Sequence, residues 1–389
     1  MSDITLDKIR SGYNLSRIND NFDKIENLIN EDTLHVRGGN NTMSQQLDMN
    51  SNRITNLPAP IADRDPLRKG DISQDNTGAS IQYVDDTVDA STRKFTFNNV
   101  EDLITESYVL NYDGFEVTWL GYYEAFDGGG NSGIIRKGSH TGDGGSVISI
   151  DSNSYIEADL GDKEPDPRLF GAYLDGTNYD TVAIQKCVDY FGHLTLTGPA
   201  RLNSSIVFDN LTNPTLEFKM GGEIICDDTF TFISGTRGIV EFQGCHNPKV
   251  INPIITGALL NLVDGVADQC QAGDAGVEYT SCTGLCSTQN PNIRDVMTWG
   301  IIHVNCEDTE VINPTVYNCV VQSGVGHAGV RTAKVTNANI NEVGLYGIEV
   351  ESLSGNEQSL IDGGIVSNSQ KAVSIVDESE NVLIDSLEA

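Results

Sequence analysis

Positive charge is scarce in this 389-residue sequence: 24 Lys and Arg stand against 56 Asp and Glu, a formal net charge of −32. A surface that acidic repels phosphate backbones and anionic headgroups, so nucleic-acid partners are not expected. No run of about 18 apolar residues occurs, and no membrane insertion is expected. The opening stretch MSDITLDKIRSGYNLS is charged throughout and lacks the apolar centre of a signal peptide. Among the cysteines Cys187, Cys226, Cys245, Cys270, Cys282, Cys286, Cys306 and Cys319 there is no CxxC pair. They read as reduced, buried thiols. Cys270, Cys282 and Cys286 lie close together but match no standard zinc spacing, so neither a metal nor a cofactor is expected.

Glycine is plentiful, at 39 residues, which points to turns and short strands. The exception comes first. Ile18, Phe22, Ile25 and Ile29 are spaced as the seam of one helix whose other positions are Asn, Asp, Lys and Glu. A helix this short is marginal alone; with little core-forming sequence around it, packing against copies of itself is expected. From His35 to Asp89 the chain is polar. Leu47 and Met49 alternate as on a short strand, and Ile54 and Leu57 follow before two prolines. So few apolar residues bury little core, and this stretch is expected to be ordered by wrapping around neighbouring chains.

Residues 93–162 read as a small β domain with Val117, Trp119, Val147, Ile148 and Ile150 in its core. The turns Asp127–Gly130 and Asp143–Gly145 are expected to close hairpins, because no helix or Lys-Ser/Thr follows to make a phosphate cradle. From 163 onward the pattern changes. Asp180 and Thr181 are expected to cap a helix with an apolar face of Val182, Ala183, Ile184 and Val188, and Asp175 to brace a turn.

A repeat then sets in: apolar, any, Asn or Asp, any, any, apolar. It occurs at Val250-x-Asn252-x-x-Ile255, Val311-x-Asn313-x-x-Val316, Val335-x-Asn337-x-x-Ile340 and Leu360-x-Asp362-x-x-Ile365, with a partial copy at Leu383 and Asp385. Companion strands recur as Ile302-x-Val304, Ile348-x-Val350 and Val373-x-Ile375. Two strands and turns every ~24 residues describe a solenoid, in which each coil buries its inward residues only against the next. Asn252, Asn313, Asn337 and Asp362 are expected to stack at one turn, where an amide bonds the backbone and tolerates positive φ. The interval from Gly257 to Gly300 breaks the pattern and reads as an excursion on the flank.

Two of these stretches carry a resemblance. LDMNSNRITNLPAP (Leu47–Pro60), with YVDD further on, resembles the N-terminal regions of phage tail fibres and tailspikes. FGAYLDGTNYDTVAIQ (Phe170–Gln185) resembles the opening motif of the pectate-lyase-like β-helices in those proteins. The resemblance implies a mainly β chain. In it, residues 1–92 form an N-terminal helix and extended virion anchor, 93–162 a small β domain, and 163–389 a right-handed, single-stranded parallel β-helix, incomplete at its C-terminus. It implies a homotrimer, with Ile18, Phe22, Ile25, Ile29, Leu47, Met49, Ile54 and Leu57 at the trimer and anchor interface. The partners would be phage tail or adaptor proteins and a host surface polysaccharide, and the location the virion tail after assembly in the host cytoplasm.

The resemblance also implies an alternative, a depolymerase of capsule or lipopolysaccharide (glycoside hydrolase or lyase), which would use Asp/Glu pairs on coil surfaces or between subunits for glycosidic hydrolysis or β-elimination. Here Glu223, Asp227, Asp228, Glu241, Asp264, Asp268, Glu307, Asp308 and Glu310 are available, and the sequence does not choose among them. Trp299, Tyr317 and Tyr346 are the rings available for stacking on sugars. Because the chain stops inside a coil, at LIDSLEA, it is expected to be part of a longer protein and to carry no complete active site. A cellular pectin-type lyase is disfavoured, having no use for the anchor motifs.

Overall fold

A computed structural model of the chain describes residues 94–105, 113–233, 235–258, 275–352, 359–376 and 382–389. All lie within one compact unit spanning residues 78–389. Ile18, Phe22, Ile25, Ile29, Leu47, Met49, Ile54 and Leu57 fall outside the described residues, as do Asp264, Asp268 and Cys270.

A five-stranded sheet comes first, in the spatial order Lys94–Phe97, Glu116–Trp119, Asn131–Lys137, Ser154–Ala158, Val147–Asp151. Alternation along these strands turns Val117, Trp119, Ile135, Ile148 and Ile156 to one side, where the short helix Val100–Thr105 adds Leu103. Ile150, half-buried, packs against this core, whereas Val147 beside Ile148 is half-buried and is not core as expected. The Asp127 carboxylate accepts the N–H groups of Tyr122, Tyr123, Glu124 and Gly129 and holds the hairpin loop between the second and third strands. Asp143–Gly145 closes no hairpin. It leads into Val147–Asp151, whose antiparallel partner is the following strand, Ser154–Ala158.

The helix Thr181–Phe191 buries Ala183, Ile184, Cys187 and Val188 over the first coil, while Val182 is 68% exposed and not part of that face. Nor does the Asp180 side chain cap it. Its Oδ1 accepts instead from Tyr173 N at 2.6 Å, and Thr181 Oγ1 accepts from Asn203 N at 3.0 Å, tying the helix to the adjoining chain. Asp175 braces its turn through Thr177 N and Asn178 N.

Beyond the helix the chain is a parallel β-helix whose coils each contribute three strands. A fifth-coil example is Asp308–Ile312 on the first face, Thr315–Cys319 on the second and Val325–Val330 on the third. The third faces make a seven-stranded parallel sheet. The first and second belong to one larger sheet, because Thr332–Val343 runs unbroken around the corner between them.

Val250, Thr288, Val311, Val335, Ile361 and Ile384 stand in one row across successive coils. Two residues further on, Asn252, Asn290, Asn313, Asn337, Gly363 and Ser386 all turn the corner at φ between 51° and 68°. Asn290 Nδ2 donates to Asn252 Oδ1 (2.8 Å), Asn313 to Asn290 (2.8 Å) and Asn337 to Asn313 (3.2 Å).

Three corrections follow from this register. Asp362 pairs with Thr336 and lies one position off the column, whose place is taken by Gly363; Ile361, not Leu360, points inward. The copy at Leu383 and Asp385 is displaced in the same way, with Ser386 at the turn. Most of the supposed excursion is an ordinary coil, made of Ala275–Thr280, Leu285–Gln289 and Asn292–Val296. It hid because Thr288 fills the apolar position, fully buried with its hydroxyl 2.8 Å from that of Tyr279.

On the third face the inward residues beside Ile302 and Val304 are Ile301 and His303, one step from the expected pair. His303 belongs to a column of rings, Phe208, Phe242, Tyr279, His303 and His327, stacked at 4.5–5.1 Å between successive centroids.

Candidate functional site

The outward side of the third face carries the most unusual chemistry. Val240, Phe242, Val277 and Tyr279 point into the core, so the intervening Glu241 and Glu278 point out, and the parallel register sets them side by side on neighbouring strands. Strand spacing fixes their Cα separation near ~4.8 Å. Both are covered nonetheless, at 1% and 3% exposure.

Their surroundings differ. Glu241 Oε2 accepts from the N–H groups of Arg237 (2.9 Å) and Gly238 (3.3 Å), and Oε1 from Gln243 Nε2 (2.5 Å), a setting of donors only. Glu278 Oε1 receives the Thr280 hydroxyl at 3.1 Å, whereas Oε2 has no hydrogen-bond partner. Burial, reinforced by the Glu241 charge, pushes the Glu278 carboxyl up to about 7. Glu278 is thus a carboxyl group that still holds its proton in part near neutral pH.

The outward row continues from Glu278 through Ile302 and Gly326 to Glu349, which accepts the Ser323 hydroxyl at 2.8 Å. From Glu241 to Glu349 is four coil steps, roughly 19 Å. Gly326 is a glycine for a packing reason: a Cβ there would lie 2.5 Å from Ile302 Cδ1 and 3.0 Å from Trp299 Cδ1. Trp299 therefore lies against this row, half-buried, its Nε1 without a hydrogen-bond partner.

Of the acids available in the sequence whose side chains are described, Glu241 is the one brought to this site; its neighbour Glu278 was not among them. Asp227 is engaged by Arg201, by Tyr179 Oη (3.0 Å) and by Thr229, whose hydrogen bonds hold its carboxyl well below the usual range. Glu307 Oε2 accepts Gly284 N at 2.7 Å, Asp308 is ion-paired with Arg331, and Glu310 meets Lys334 at 2.9 Å. These are turn and coil-to-coil ties. Glu223 is half-buried beside Pro199, away from the row. Tyr317 is exposed on the second face, and Tyr346 is stacked under Lys371 Nζ at 5.6 Å from its ring centre.

No protein-family profile and no curated protein matches the sequence. Solved structures do. WceF of Pantoea stewartii, described as a glycan biofilm modifying enzyme with a bacteriophage tailspike-like parallel β-helix fold, is similar at a TM-score of 0.50 and 15% identity. The match covers 76% of this chain and 43% of WceF. Tailspike gp49 of Acinetobacter baumannii bacteriophage Fri1, a capsular polysaccharide depolymerase, matches at TM-score 0.45 and 12% identity over 75% of this chain and 62% of its own. Tailspike protein 2 of Escherichia coli O157:H7 bacteriophage CAB120 matches at TM-score 0.41 and 15% identity, over 74% and 46%. The chain spans less than two thirds of the length of each of these proteins. The fold is the tailspike-type parallel β-helix.

Proposed function

We propose that this chain is a phage tail-fibre or tailspike subunit: residues 1–92 attach a homotrimer to the tail, and the β-helix engages a host surface polysaccharide. The anchor rests on the sequence resemblance of Leu47–Pro60. The glycan reading is carried by the outward row of the third face. Two carboxyl groups, a tryptophan and a terminal Glu349 run along the coil axis for roughly 19 Å, the length of about four sugar units.

A second reading, polysaccharide cleavage, is favoured by one specific observation, the buried Glu278 carboxyl raised to about 7 beside Glu241 on the neighbouring strand. Glu278, protonated near neutral pH, would donate its proton to the glycosidic oxygen. Glu241, on the neighbouring strand, would attack or stabilise the anomeric carbon. The pair stands side by side on neighbouring strands with Cα atoms about 4.8 Å apart, and a retaining mechanism would hold the two carboxyl groups about 5–5.5 Å apart. Because both are covered, substrate reaches them only as that cover moves aside.

The test is incubation of the full chain with capsular polysaccharide purified from a strain to whose cells the chain adsorbs. Binding with release of reducing ends, their anomeric configuration retained, supports both readings. Glu278→Gln then lowers the rate about 10²–10⁴-fold while leaving binding intact. Binding without cleavage leaves a receptor-binding fibre and removes the enzyme reading. Adsorption to no strain contradicts both.

A further inference from the structure

We propose that Cys282, Cys286 and Cys306 form a three-thiolate site for a soft d¹⁰ cation, Zn²⁺ or Cu⁺, inside the β-helix. Their sulfurs all lie within 4.8 Å of one another and all three residues are buried. A Zn–S bond of about 2.3 Å places sulfurs about 3.8 Å apart in a tetrahedral shell, so a movement of about half an ångström by each sulfur closes the site.

The cluster exists because two columns of the solenoid meet. The corner from the third face to the first carries Cys245, Cys282 and Cys306 on successive coils. Each thiol donates to a carbonyl of the preceding coil: Phe208 O at 3.2 Å, Phe242 O at 3.3 Å and Tyr279 O at 3.4 Å. Such a column alone needs no metal, since a buried thiol packs as a small hydrophobe. The following coil puts Val330 at the same corner, so an aliphatic side chain fits there.

Cys286 is what the column does not explain. It comes from the first-face strand Leu285–Gln289, where the next two coils carry Thr309 and Ala333. It sets a third sulfur against the other two at the one place where two corner cysteines are adjacent to it. Three sulfurs satisfy Cu⁺, whereas Zn²⁺ takes a fourth ligand.

The site is tested on the full chain folded anaerobically with reductant and either Zn²⁺ or Cu⁺, with bound metal counted by mass spectrometry. The proposal expects about one equivalent of one of these ions per chain. It also expects a thiolate-to-metal charge-transfer band after Co²⁺ replaces Zn²⁺, or Cu⁺-thiolate luminescence in the other arm. Cys286→Ser should weaken binding at least about tenfold, while Cys245→Ser, in the same column but outside the cluster, leaves it unchanged. Should Cys286→Ser fold poorly, Cys286→Ala is compared by melting: metal raises the midpoint of the wild-type chain and not that of the variant. Less than about a tenth of an equivalent bound, equal binding by Cys286→Ser, or a Cys282–Cys306 disulfide in the reduced protein overturns the proposal.

Discussion

Two imidazoles stacked inside a β-helix make its stability depend on acid in a calculable way. His303 and His327 are fully buried, 4.9 Å apart ring to ring; neither nitrogen of His303 nor Nε2 of His327 has a hydrogen bond of normal geometry. Burial holds the His327 pKa down to about 3, and burial followed by the His327 charge holds His303 well below its ordinary 6.5. Both folded values are depressed, so below pH 6.5 the unfolded chain binds protons that the folded chain refuses. Stability is therefore lost as pH falls through that window, by about 1.4 kcal/mol per unit for each ring and about 2.7 for the two. From pH 7.5 to 4.5 the pair removes about 5 kcal/mol, comparable with the whole stability of an ordinary domain. Glu278 acts with opposite sign: its pKa is raised to about 7, so the cost of ionising it is relieved as pH falls towards its unfolded value. Comparison with His303→Phe/His327→Phe, which continues the Phe208–Phe242 stack, cancels that contribution. Thr309, bonded to His327 Nδ1 at 2.9 Å, keeps its bond to Thr332 O in the variant. Guanidinium unfolding followed by circular dichroism at pH 7.5, 6.5, 5.5 and 4.5 reads the result. The stability difference between wild type and variant should move in favour of the variant by about 2–3 kcal/mol per unit below pH 6.5. A difference that does not change with pH refutes the reasoning.

Three more expectations follow from named contacts. Asn313→Ala removes an amide bond to each neighbouring coil and places alanine at φ 52°; it should cost about 2–3 kcal/mol in the same unfolding assay, and Asn313→Gly about 1 kcal/mol less. Gly326→Ala drives a methyl into Ile302 and Trp299; a loss of about 1–3 kcal/mol with an altered tryptophan emission spectrum is expected, and an unchanged spectrum would place Trp299 elsewhere. Phe22→Asp with Ile25→Asp should turn a trimer into a monomer in sedimentation velocity, whereas a monomeric wild-type chain removes the seam from the interface.

The fold was legible because a solenoid writes its physics into sequence as a period. Aliphatic residues at Val311, Val335 and Val250 and asparagines two positions later reveal the first-face corner, where only a few residue types accept positive φ. Legibility failed where another residue met the same physical demand. Thr288 is buried like a valine because Tyr279 satisfies its hydroxyl, and Gly363 and Ser386 turn the corner without an amide. Leu360 and Ile361 are both aliphatic, so pattern alone slipped by one residue, and pairing with Lys334 and Val335 decides the register. The site was less legible still. Glu241 and Glu278 are 37 residues apart, and nothing local marks them as partners until coils of unequal length are laid side by side. A buried histidine such as His303 likewise reads as polar until the strand is placed one residue over. The meeting of Cys286 with Cys282 and Cys306 depends on the closure of a coil corner, which spacing rules for metal motifs do not encode.

The most direct test of the account is to expose the full chain to capsular polysaccharide from a strain to whose cells the chain adsorbs, and to map protection by hydrogen exchange. Binding along the third face predicts slowed exchange at the strands bearing Glu241, Glu278, Ile302, Gly326 and Glu349, with Glu278→Gln retaining it. Protection confined to the first and second faces, or none at all on bound protein, contradicts the placement of the glycan.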